Sequence, residues 1–453
     1  MSGLGRRELL AAGVAAAALP AVAGAAERAR PSLAPRPPMG WNSWNSFATT
    51  ITEAQALETA RIMAAKLLPA GYDVFTIDIQ WYEPDASSYA YSAKPMPTMD
   101  ANGRVLPAPN RFPSAANGQG FAALAAKVHA LGLRFGIHVM RGIPRLAVER
   151  NLPVLGTTYR ARDIADVTSI CAWNPDMYGV DVRKPGAQAY YDSVYAQYAR
   201  WGVDFVKVDD MSRPYDAHAP EIEAVARAIE RSGRPMILSL SPGETPLVRA
   251  DHVRRHAEMW RIADDFWDEW PQLEAQFTRL ENWSPYAGNG RWPDGDMLPL
   301  GRLALGARDT RFTPDEQRTL MTLWSIARSP LIMGGDLRHL DAATLALLTN
   351  PEVIAVNQAS SDNRPHYLED GTRIWSAAAP GEGYYVALFN TSKAERRVAL
   401  PLDRLGIAGA ATVRDLWARV PLGPMRGVVA TEVPGHGAAL LKVQPTTNYS
   451  DLS

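Results

Sequence analysis

The sequence predicts an α/β protein in which a (β/α)8 TIM barrel is followed by a C-terminal antiparallel β-sandwich. Short apolar runs that suit buried strands alternate with amphipathic stretches, and the alternation repeats over roughly 300 residues. After Asn357 the helical periodicity stops and short extended runs take over, which predicts the sandwich. A doubly wound sheet is the alternative for the first part, but no glycine-rich phosphate-binding turn follows its first strand.

The barrel elements are predicted from hydrophobic spacing. In the stretch Thr52–Leu68, apolar residues such as Ala56, Ala60 and Met63 recur at helical intervals. The predicted helices are Thr52–Leu68, Gly120–Gly132, Ala187–Trp201, Ala219–Ser232 and Thr313–Arg328. The predicted strands are Tyr72–Ile77, Arg134–His138, Val203–Val208, Met236–Leu240 and Pro330–Met333.

The C-terminal part is predicted to be a separate β domain. The polar segment Asn357–Pro365 reads as a loop that links a barrel at residues 36–358 to a β domain at residues 364–446. Turn-forming residues such as Pro380–Gly383 separate the extended runs. These runs are Thr372–Ala378, Tyr384–Phe389, Arg396–Leu400, Ala411–Asp415, Val428–Val433 and Ala438–Val443.

Composition excludes several classes of partner. The chain has 453 residues with 47 basic and 48 acidic side chains, and its net charge of −1 argues against nucleic acid or an anionic membrane as the main partner. The single cysteine, Cys171, excludes an intrachain disulfide and a cysteine-based zinc site, and we expect it to be buried. The eight histidines form no His-X-His or His-Glu-X-X-His motif, which argues against a metal hydrolase.

The N-terminus predicts export. Arg6 and Arg7 precede an Ala-rich apolar run that ends near Ala26 and contains small residues suited to signal peptidase. Residues 1–26 are therefore predicted to be a twin-arginine signal peptide, with a periplasmic or secreted mature protein; an uncleaved anchor is the alternative. No later apolar run is long enough to span a membrane, so no membrane contact is expected of the mature form.

One predicted strand carries a candidate nucleophile. Because strand side chains alternate, Phe205, Lys207 and Asp209 share the face that would line the barrel interior. The ammonium of Lys207 would favour the ionised form of Asp209, which is the form a nucleophile needs. A structural ion pair is the alternative. Asp210 faces the other way and ranks below Asp209.

Two further segments are rich in carboxylates. The run Met259–Trp270 contains four of them interleaved with aromatic residues, and apolar walls would raise the pKa of a carboxyl as a general acid requires. Arg261 in this run is a candidate for binding sugar hydroxyls or a neighbouring carboxylate. The alternative is a solvated helix start. The Asp-Gly-Asp turn in Arg291–Leu298 suits a cation or sugar hydroxyls, but it offers fewer oxygens than calcium loops need.

Aromatic residues accompany these acids at the predicted strand ends. Any single one is best read as core, but together they suit a carbohydrate, whose CH faces pack on rings while its hydroxyls bind carboxylates. They are Trp41, Trp44, Phe47, Trp81, Tyr82 and Trp173.

At these residues the sequence resembles glycoside hydrolase family 27, the melibiase or α-galactosidase family, from about Pro37 to Gln358 and on into the β domain. The opening run Pro38–Trp44 resembles the family's first strand, whose second Trp lines the sugar site, which implies that role for Trp44. The run that ends at Asp209 resembles the nucleophile strand. The resemblance implies Asp209 as the nucleophile and Lys207 as a sugar ligand.

Later motifs agree with this family. Arg261, followed four residues on by Asp265, resembles the acid/base segment, which implies Asp265 as the acid/base ahead of Asp264. The run Trp292–Leu298 resembles the family's Trp-Asn-Asp-Pro-Asp-Met-Leu and places Asp296 on the sugar. Two further runs resemble its closing segments: Ser329–Arg338 and Val353–Gln358.

Departures from the family bear on the substrate. After the second strand the family has two adjacent Asp residues, whereas here Asp78 is followed by Ile79, so one hydroxyl-binding carboxylate is missing. Asp78 and His138, which stands where a Tyr is common, are the candidate sugar ligands on this side. Met211 replaces the Cys that usually pairs with the one matching Cys171. The run Ser239–Glu244 also departs from the family's selectivity loop.

The resemblance implies a retaining exo-glycosidase that releases terminal α-D-galactose. β-L-Arabinopyranosides and α-N-acetylgalactosaminides are alternative substrates, and the first shares the ring stereochemistry but lacks the exocyclic CH2OH. Retention requires the two carboxyl groups about 5–5.5 Å apart, whereas inverting enzymes leave about 6.5–9.5 Å. We expect no metal and no organic cofactor. A non-catalytic carbohydrate-binding protein and a metal-dependent barrel hydrolase remain as rival interpretations.

Overall fold

The computed structural model describes residues 32–367 and 371–446. The predicted signal peptide, residues 1–26, lies outside the described residues and stays a prediction. Within the described ranges, no helix combines the length and the apolar character that crossing a membrane requires.

Eight parallel strands form one curved sheet, with the order β7-β6-β5-β4-β3-β2-β1-β8. The sheet closes just after β7, where the Leu298 backbone N–H donates to Ile332 O over 2.7 Å and Leu298 pairs in parallel with Met333. The barrel prediction is therefore confirmed. The strands are β1 Met39–Asn42, β2 Val74–Ile77, β3 Arg134–Met140, β4 Phe205–Asp209, β5 Ile237–Leu240, β6 Met259–Arg261, β7 Trp292–Asp294 and β8 Leu331–Met333.

Eight helices alternate with these strands, and local signals set their ends. A capping box at Thr52, which accepts from the Gln55 backbone N–H, starts the first helix. Gly202, with φ +83°, ends the third. The predicted start of the fourth at Ala219 is wrong by one turn, because Pro220 is accommodated inside the helix. The helices are α1 Glu53–Lys66, α2 Ala122–Ala130, α3 Ala187–Trp201, α4 Tyr215–Arg231, α5 Ala250–His256, α6 Trp270–Trp283, α7 Pro314–Ile326 and α8 Pro351–Ala359.

Small elements decorate the loops. A three-stranded antiparallel insertion lies between β3 and α3 and consists of Ile143–Pro144, Ala165–Ile170 and Met177–Val180. A short hairpin joins Arg302–Leu303 to Arg308–Asp309. The remaining α-helical turns are Trp44–Phe47, Arg145–Glu149, Ala161–Ile164 and Ala342–Leu348, and the 3-10 turns are Leu68–Ala70, Pro113–Gly118, Leu247–Arg249, Ser284–Tyr286, Leu337–His339 and Leu402–Leu405.

The C-terminal part consists of antiparallel strands. A six-stranded sheet has the order β9-β10-β11-β16-β13-β14, and β12 pairs with β15. The six predicted strands are all present. The strands are β9 Ser361–His366, β10 Thr372–Ala378, β11 Tyr384–Asn390, β12 Arg396–Pro401, β13 Ala410–Asp415, β14 Val420–Arg426, β15 Val428–Val433 and β16 Ala438–Pro445.

The loop predicted at Asn357–Pro365 is wrong. Its beginning belongs to α8 and its remainder forms β9, while β14 was not predicted at all. Both missed strands are the two edges of the six-stranded sheet, and their side chains are largely exposed. Edge strands need no buried face, so they carry no alternating apolar pattern. An edge also tolerates Pro365.

The sheet packs on the outer helices of the barrel. The ring of Trp270 in α6 stacks on His436 with centroids 3.7 Å apart and planes 2° apart. His436 Nδ1 also lies 2.8 Å from Glu316 of α7, and Phe277 meets Phe389 edge to face. These contacts are made by the outer helices α6 and α7 of the barrel.

Candidate active site

A cavity of about 740 Å³ opens at the carboxyl ends of the barrel strands. This is the position where the loops of a (β/α)8 barrel build an active site. The volume suits a small-molecule ligand. Five of the predicted site residues line it: Trp44, Asp78, Lys207, Asp209 and Asp265.

Asp209 ends β4 with its side chain almost fully buried. Its Oδ2 lies 2.9 Å from His138 Nε2, and its Oδ1 lies 3.7 Å from Lys207 Nζ. Burial alone would raise the pKa of Asp209, but Lys207, His138 and Arg261 together lower it to about 2. The carboxylate is therefore ionised at every pH at which the protein would work.

Lys207 joins two buried acids. Its Nζ lies 2.9 Å from Asp78 Oδ2, which also accepts from Asn42 Nδ2 at 2.8 Å. Burial acts to lower the pKa of Lys207, but the charges of Asp209 and Asp78 raise it above its usual value. The ammonium is therefore held charged between the two carboxylates. Strand alternation predicts the neighbour Asp209 but not Asp78.

A second charged cluster surrounds Arg261 at the end of β6. The guanidinium lies 2.9 Å from Asp296 Oδ1 and 3.4 Å from Asp265 Oδ1. Asp296 is buried, and burial together with the charges of Asp265 and Asp294 raises its pKa to about 7 despite Arg261. Asp265 and Asp296 thus share one guanidinium, and the burial of Asp296 favours its protonated form.

Asp265 lies at the rim of the cavity. Half of its side chain is exposed, whereas Asp296 and Arg261 beside it are buried. Asp265 is therefore less enclosed than the sequence predicts. Its neighbour Asp264 is more exposed still and pairs with Arg213 at 3.1 Å.

Three predicted sugar ligands, His138, Arg261 and Asp296, do not line this cavity. His138 is fully buried behind Asp209. Arg261 and Asp296 line a small space in the barrel interior, to which Lys207 also contributes. The structure thus places these three side chains behind the residues that face the cavity.

The other acidic candidates have structural partners. Asp210 is held by Arg141, whose Nη2 lies 2.8 Å from its carboxylate and whose Nη1 lies 2.6 Å from Glu221. Buried Asp268 pairs with Arg308 through contacts of 2.5 and 2.9 Å. Ranking Asp210 below Asp209 agrees with this arrangement.

The aromatic candidates divide into two groups. Trp41, Phe47, Trp81 and Tyr82 are buried core residues. Trp44 and Trp173 line the cavity, and Trp173 is 40% exposed.

The chain is similar to known proteins in sequence and in fold. Residues 177–359 match the family described as α-galactosidase A, and residues 369–443 match the α-galactosidase C-terminal β-sandwich domain. A β-L-arabinopyranosidase of glycoside hydrolase family 27 from Geobacillus stearothermophilus is 48% identical, with a TM-score of 0.90 over 92% of this chain and 98% of that chain.

Other relatives carry different activities in their names. A protein from Bacillus halodurans, provisionally described as an α-N-acetylgalactosaminidase, is 46% identical, with a TM-score of 0.82 over 90% of this chain and 97% of that chain. An α-galactosidase from Coffea arabica is 29% identical over 90% of this chain and 94% of its own length.

This chain belongs to glycoside hydrolase family 27. The resemblance expected from the sequence is confirmed, and the protein is a glycosidase. Its substrate is therefore a carbohydrate, and the cavity at the barrel mouth is the candidate site for it.

Sequence reasoning missed one prominent residue of the site. Tyr91 lines the cavity, and its pKa is raised by burial and then by the charges of Asp209, Asp78 and Asp265. It lies in the long loop between β2 and α2, which contains the run Ser88–Tyr91. The sequence could have indicated this residue, because the long βα loops of a barrel build its active site.

One cluster in the described residues has ligand types that suit a metal ion. Glu223, His252 and His256 place three possible ligand atoms within 4.8 Å of one another. Two of these side chains are already paired, since His252 Nε2 lies 3.3 Å from Glu223, and His252 Nδ1 lies 2.8 Å from the Tyr215 hydroxyl. None of these residues lines the cavity, so the cluster has no part in the chemistry considered below.

Proposed function

We propose that this enzyme is a retaining exo-glycosidase that removes terminal β-L-arabinopyranosyl groups. The observation that carries the choice of sugar is Ile79, which lines the cavity directly after Asp78. The family has a carboxylate there, and a hydroxymethyl group on the sugar would need such a polar partner. Gln80 supplies none, because its Nε2 donates to Asp176 over 2.6 Å.

The sequence alone favoured α-D-galactosides, and these remain the second candidate. β-L-Arabinopyranose and α-D-galactose share the arrangement of ring hydroxyls, so one set of polar groups serves both. An apolar neighbour at Ile79 favours the sugar without the CH2OH. The β-L-arabinopyranosidase from Geobacillus stearothermophilus supports this choice, while the α-galactosidase from Coffea arabica favours galactose.

The first half of the proposed reaction uses both carboxyl groups. Asp209 Oδ2 lies 2.9 Å from His138 Nε2, and Oδ1 lies 3.7 Å from Lys207 Nζ. The Asp209 carboxylate attacks the anomeric carbon, forming a glycosyl ester as the bond to the aglycone oxygen breaks. Protonated Asp265 transfers its proton to that oxygen, so the aglycone leaves as a neutral alcohol.

The second half regenerates the enzyme. Ionised Asp265, stabilised by Arg261 at 3.4 Å, takes a proton from water as the water oxygen attacks the anomeric carbon. The ester bond to Asp209 breaks and the sugar leaves with its original configuration. The two carboxyl groups supply nucleophile, acid and base, so the proposed chemistry needs no metal or organic cofactor.

A substrate panel and a stereochemical assay test the proposal. We expect the highest kcat/KM for nitrophenyl β-L-arabinopyranoside, a lower value for the α-D-galactoside and the lowest for the α-N-acetylgalactosaminide. Proton NMR during the first turnovers should show the β-anomer of L-arabinose formed first. Faster galactoside cleavage would replace the proposed sugar, and initial release of the α-anomer would exclude a retaining mechanism.

A further inference from the structure

One side of the cavity mouth is apolar and exposed. Ile170 and Trp173 lie in the insertion between β3 and α3, and both line the cavity. Ile170 is 54% exposed and Trp173 is 40% exposed. Large apolar side chains that are exposed together beside a cavity mark a surface that binds something.

An aromatic wall connects this surface to the catalytic acids. Trp44 and Tyr91 stack with ring centroids 6.5 Å apart and planes 6° apart, and Tyr91 meets Trp173 at 5.6 Å. The charges of Asp209 and Asp265 both act on the Tyr91 phenol. Tyr91 therefore stands between the position of the reacting sugar and the exposed ring of Trp173.

The positions of the two acids determine which part of the substrate reaches this wall. The side chain of Asp209 is 6% exposed, whereas that of Asp265 is 50% exposed. The sugar must lie against the buried nucleophile, and the oxygen that receives the proton must lie near the rim. The group attached to that oxygen then extends outward across the rim.

The rim residues favour an apolar group over a second sugar. Ile170, Ala172, Pro214 and Pro242 present carbon surfaces to the cavity. The exposed charges that line it nearby, Arg213 and Asp264, already pair with each other at 3.1 Å. A second sugar would also pack its CH face on these rings, but its several hydroxyls would need hydrogen-bond partners, and the wall itself consists of rings and aliphatic groups.

We propose that Tyr91, Trp173 and Ile170 form a leaving-group subsite for an apolar, ring-containing aglycone. This inference rests on the proposed glycosidase function and adds the chemical class of the aglycone. The natural substrate is then a glycoside of an apolar alcohol, and the rings of the wall pack against that alcohol.

Two alkyl glycosides with leaving groups of similar acidity test the subsite. The substrates are methyl and cyclohexylmethyl β-L-arabinopyranoside, which differ in apolar area alone. The wild type should prefer the cyclohexylmethyl glycoside. Trp173→Ala should lower kcat/KM for that substrate about tenfold, the loss of one good ring contact, and change the value for the methyl glycoside less than about twofold.

Matched variants and a product assay complete the experiment. Tyr159→Ala removes another ring, 37% exposed, that does not line the cavity, and it should leave both values unchanged. Ile170→Ser should reproduce a smaller selective loss, which guards against misfolding of Trp173→Ala. Inhibition by free L-arabinose should be unaltered in both subsite variants, because arabinose alone does not reach the rim.

Two results would overturn the subsite. Equal losses for both alkyl glycosides, or no loss for either, would show that Trp173 does not bind the aglycone. A loss for an arabinopyranosyl disaccharide as large as that for the cyclohexylmethyl glycoside would show that the wall binds sugars as well. If the substrate panel favours galactose, the same two aglycones are attached to α-D-galactose and the comparison is repeated. A wrong assignment of the sugar is then distinguished from a wrong assignment of the aglycone.

Discussion

Charged side chains on the floor of the cavity are buried and paired within the protein, whereas the charged side chain of Asp265 at its rim is exposed to water. On the floor, Asp78, His138, Lys207 and Asp209 have side chains at most 12% exposed, and each charge touches an opposite or hydrogen-bonding partner. At the rim, Asp265 is 50% exposed. Charges removed from water must be balanced within the protein, whereas rim charges are balanced by water.

This difference supports the two catalytic roles proposed above. A nucleophile must be ionised, and the charge of Lys207 favours the ionised form of Asp209 on the floor. An acid/base must gain and lose a proton in every cycle, and the half-exposed Asp265 at the rim has the access to water that this exchange needs.

The largest effect should come from breaking the floor. Asp209→Asn removes the attacking oxygen, and we expect kcat to fall by about 10⁴-fold or more, as for other nucleophile deletions. Steady-state kinetics on a nitrophenyl glycoside measures this. The control is Asp264→Asn, which removes a rim carboxylate of the same type and should retain most activity. Activity of Asp209→Asn near the wild-type level would show that Asp209 is not the nucleophile.

The next effect should come from the rim acid. Asp265→Ala should lower kcat/KM by about 10²- to 10⁴-fold for alkyl glycosides, whose leaving groups need a proton. The loss in the first step should be much smaller for dinitrophenyl glycosides, which leave as stable anions, and azide should restore turnover by replacing the activated water. A loss that is independent of the aglycone would assign Asp265 a binding role instead.

The preference between the two sugars should depend on Ile79, which follows Asp78 in the cavity. Ile79→Asp restores a carboxylate beside Asp78 and should raise the ratio of α-galactoside to β-L-arabinopyranoside kcat/KM by about tenfold or more, because a hydroxymethyl group would gain a partner. Ile79→Asn and Ile79→Val serve as controls for polarity and for size. An unchanged ratio in Ile79→Asp would mean that another residue selects the sugar.

A smaller effect concerns stability and pH. The pKa of Asp296 is raised to about 7, above the value of about 3.9 for an unfolded chain, so folding binds a proton between these pH values. The contribution of Asp296 to stability therefore falls as pH rises from about 4 to about 7. Asp296→Asn cannot ionise, so its melting temperature relative to the wild type should be higher at pH 8 than at pH 5. Melting curves at both values check this, and an equal difference at each pH would contradict the shift.

The parts of this site that sequence could predict are those with local signals. Strand alternation alone puts Lys207 and Asp209 on one face, whereas Arg261 and Asp265 are assigned through the resemblance of their run to the family's acid/base segment. The contact of His138 with Asp209 depends on the register of β3 against β4, in which His138 pairs with Lys207. No local pattern encodes that register.

Two further features could not be predicted because no local pattern marks them. They are side chains paired over long distances in the chain, and edge strands. Asp268 has the same local setting as Asp265, but its partner Arg308 lies 40 positions away in the chain. β9 and β14 bury no complete face, so hydrophobic spacing could not reveal them. Local chemistry thus identified the acids, and tertiary contacts decided which of them are structural.

The smallest effect should come from the exposed pair that borders the cavity. Arg213 and Asp264 are 60% and 68% exposed, and ion pairs of this kind contribute about 0–1 kcal/mol because water screens them. Arg213→Ala should therefore change kcat/KM by less than about threefold for every substrate, while the same change at Arg261 should be severe because two carboxylates depend on it. Steady-state kinetics of the two variants compares the loss of an exposed guanidinium, that of Arg213, with the loss of a buried one, that of Arg261. A large loss in Arg213→Ala would mean that a charge at the rim binds substrate. This result would contradict the distinction between paired charges on the floor and solvated charges at the rim.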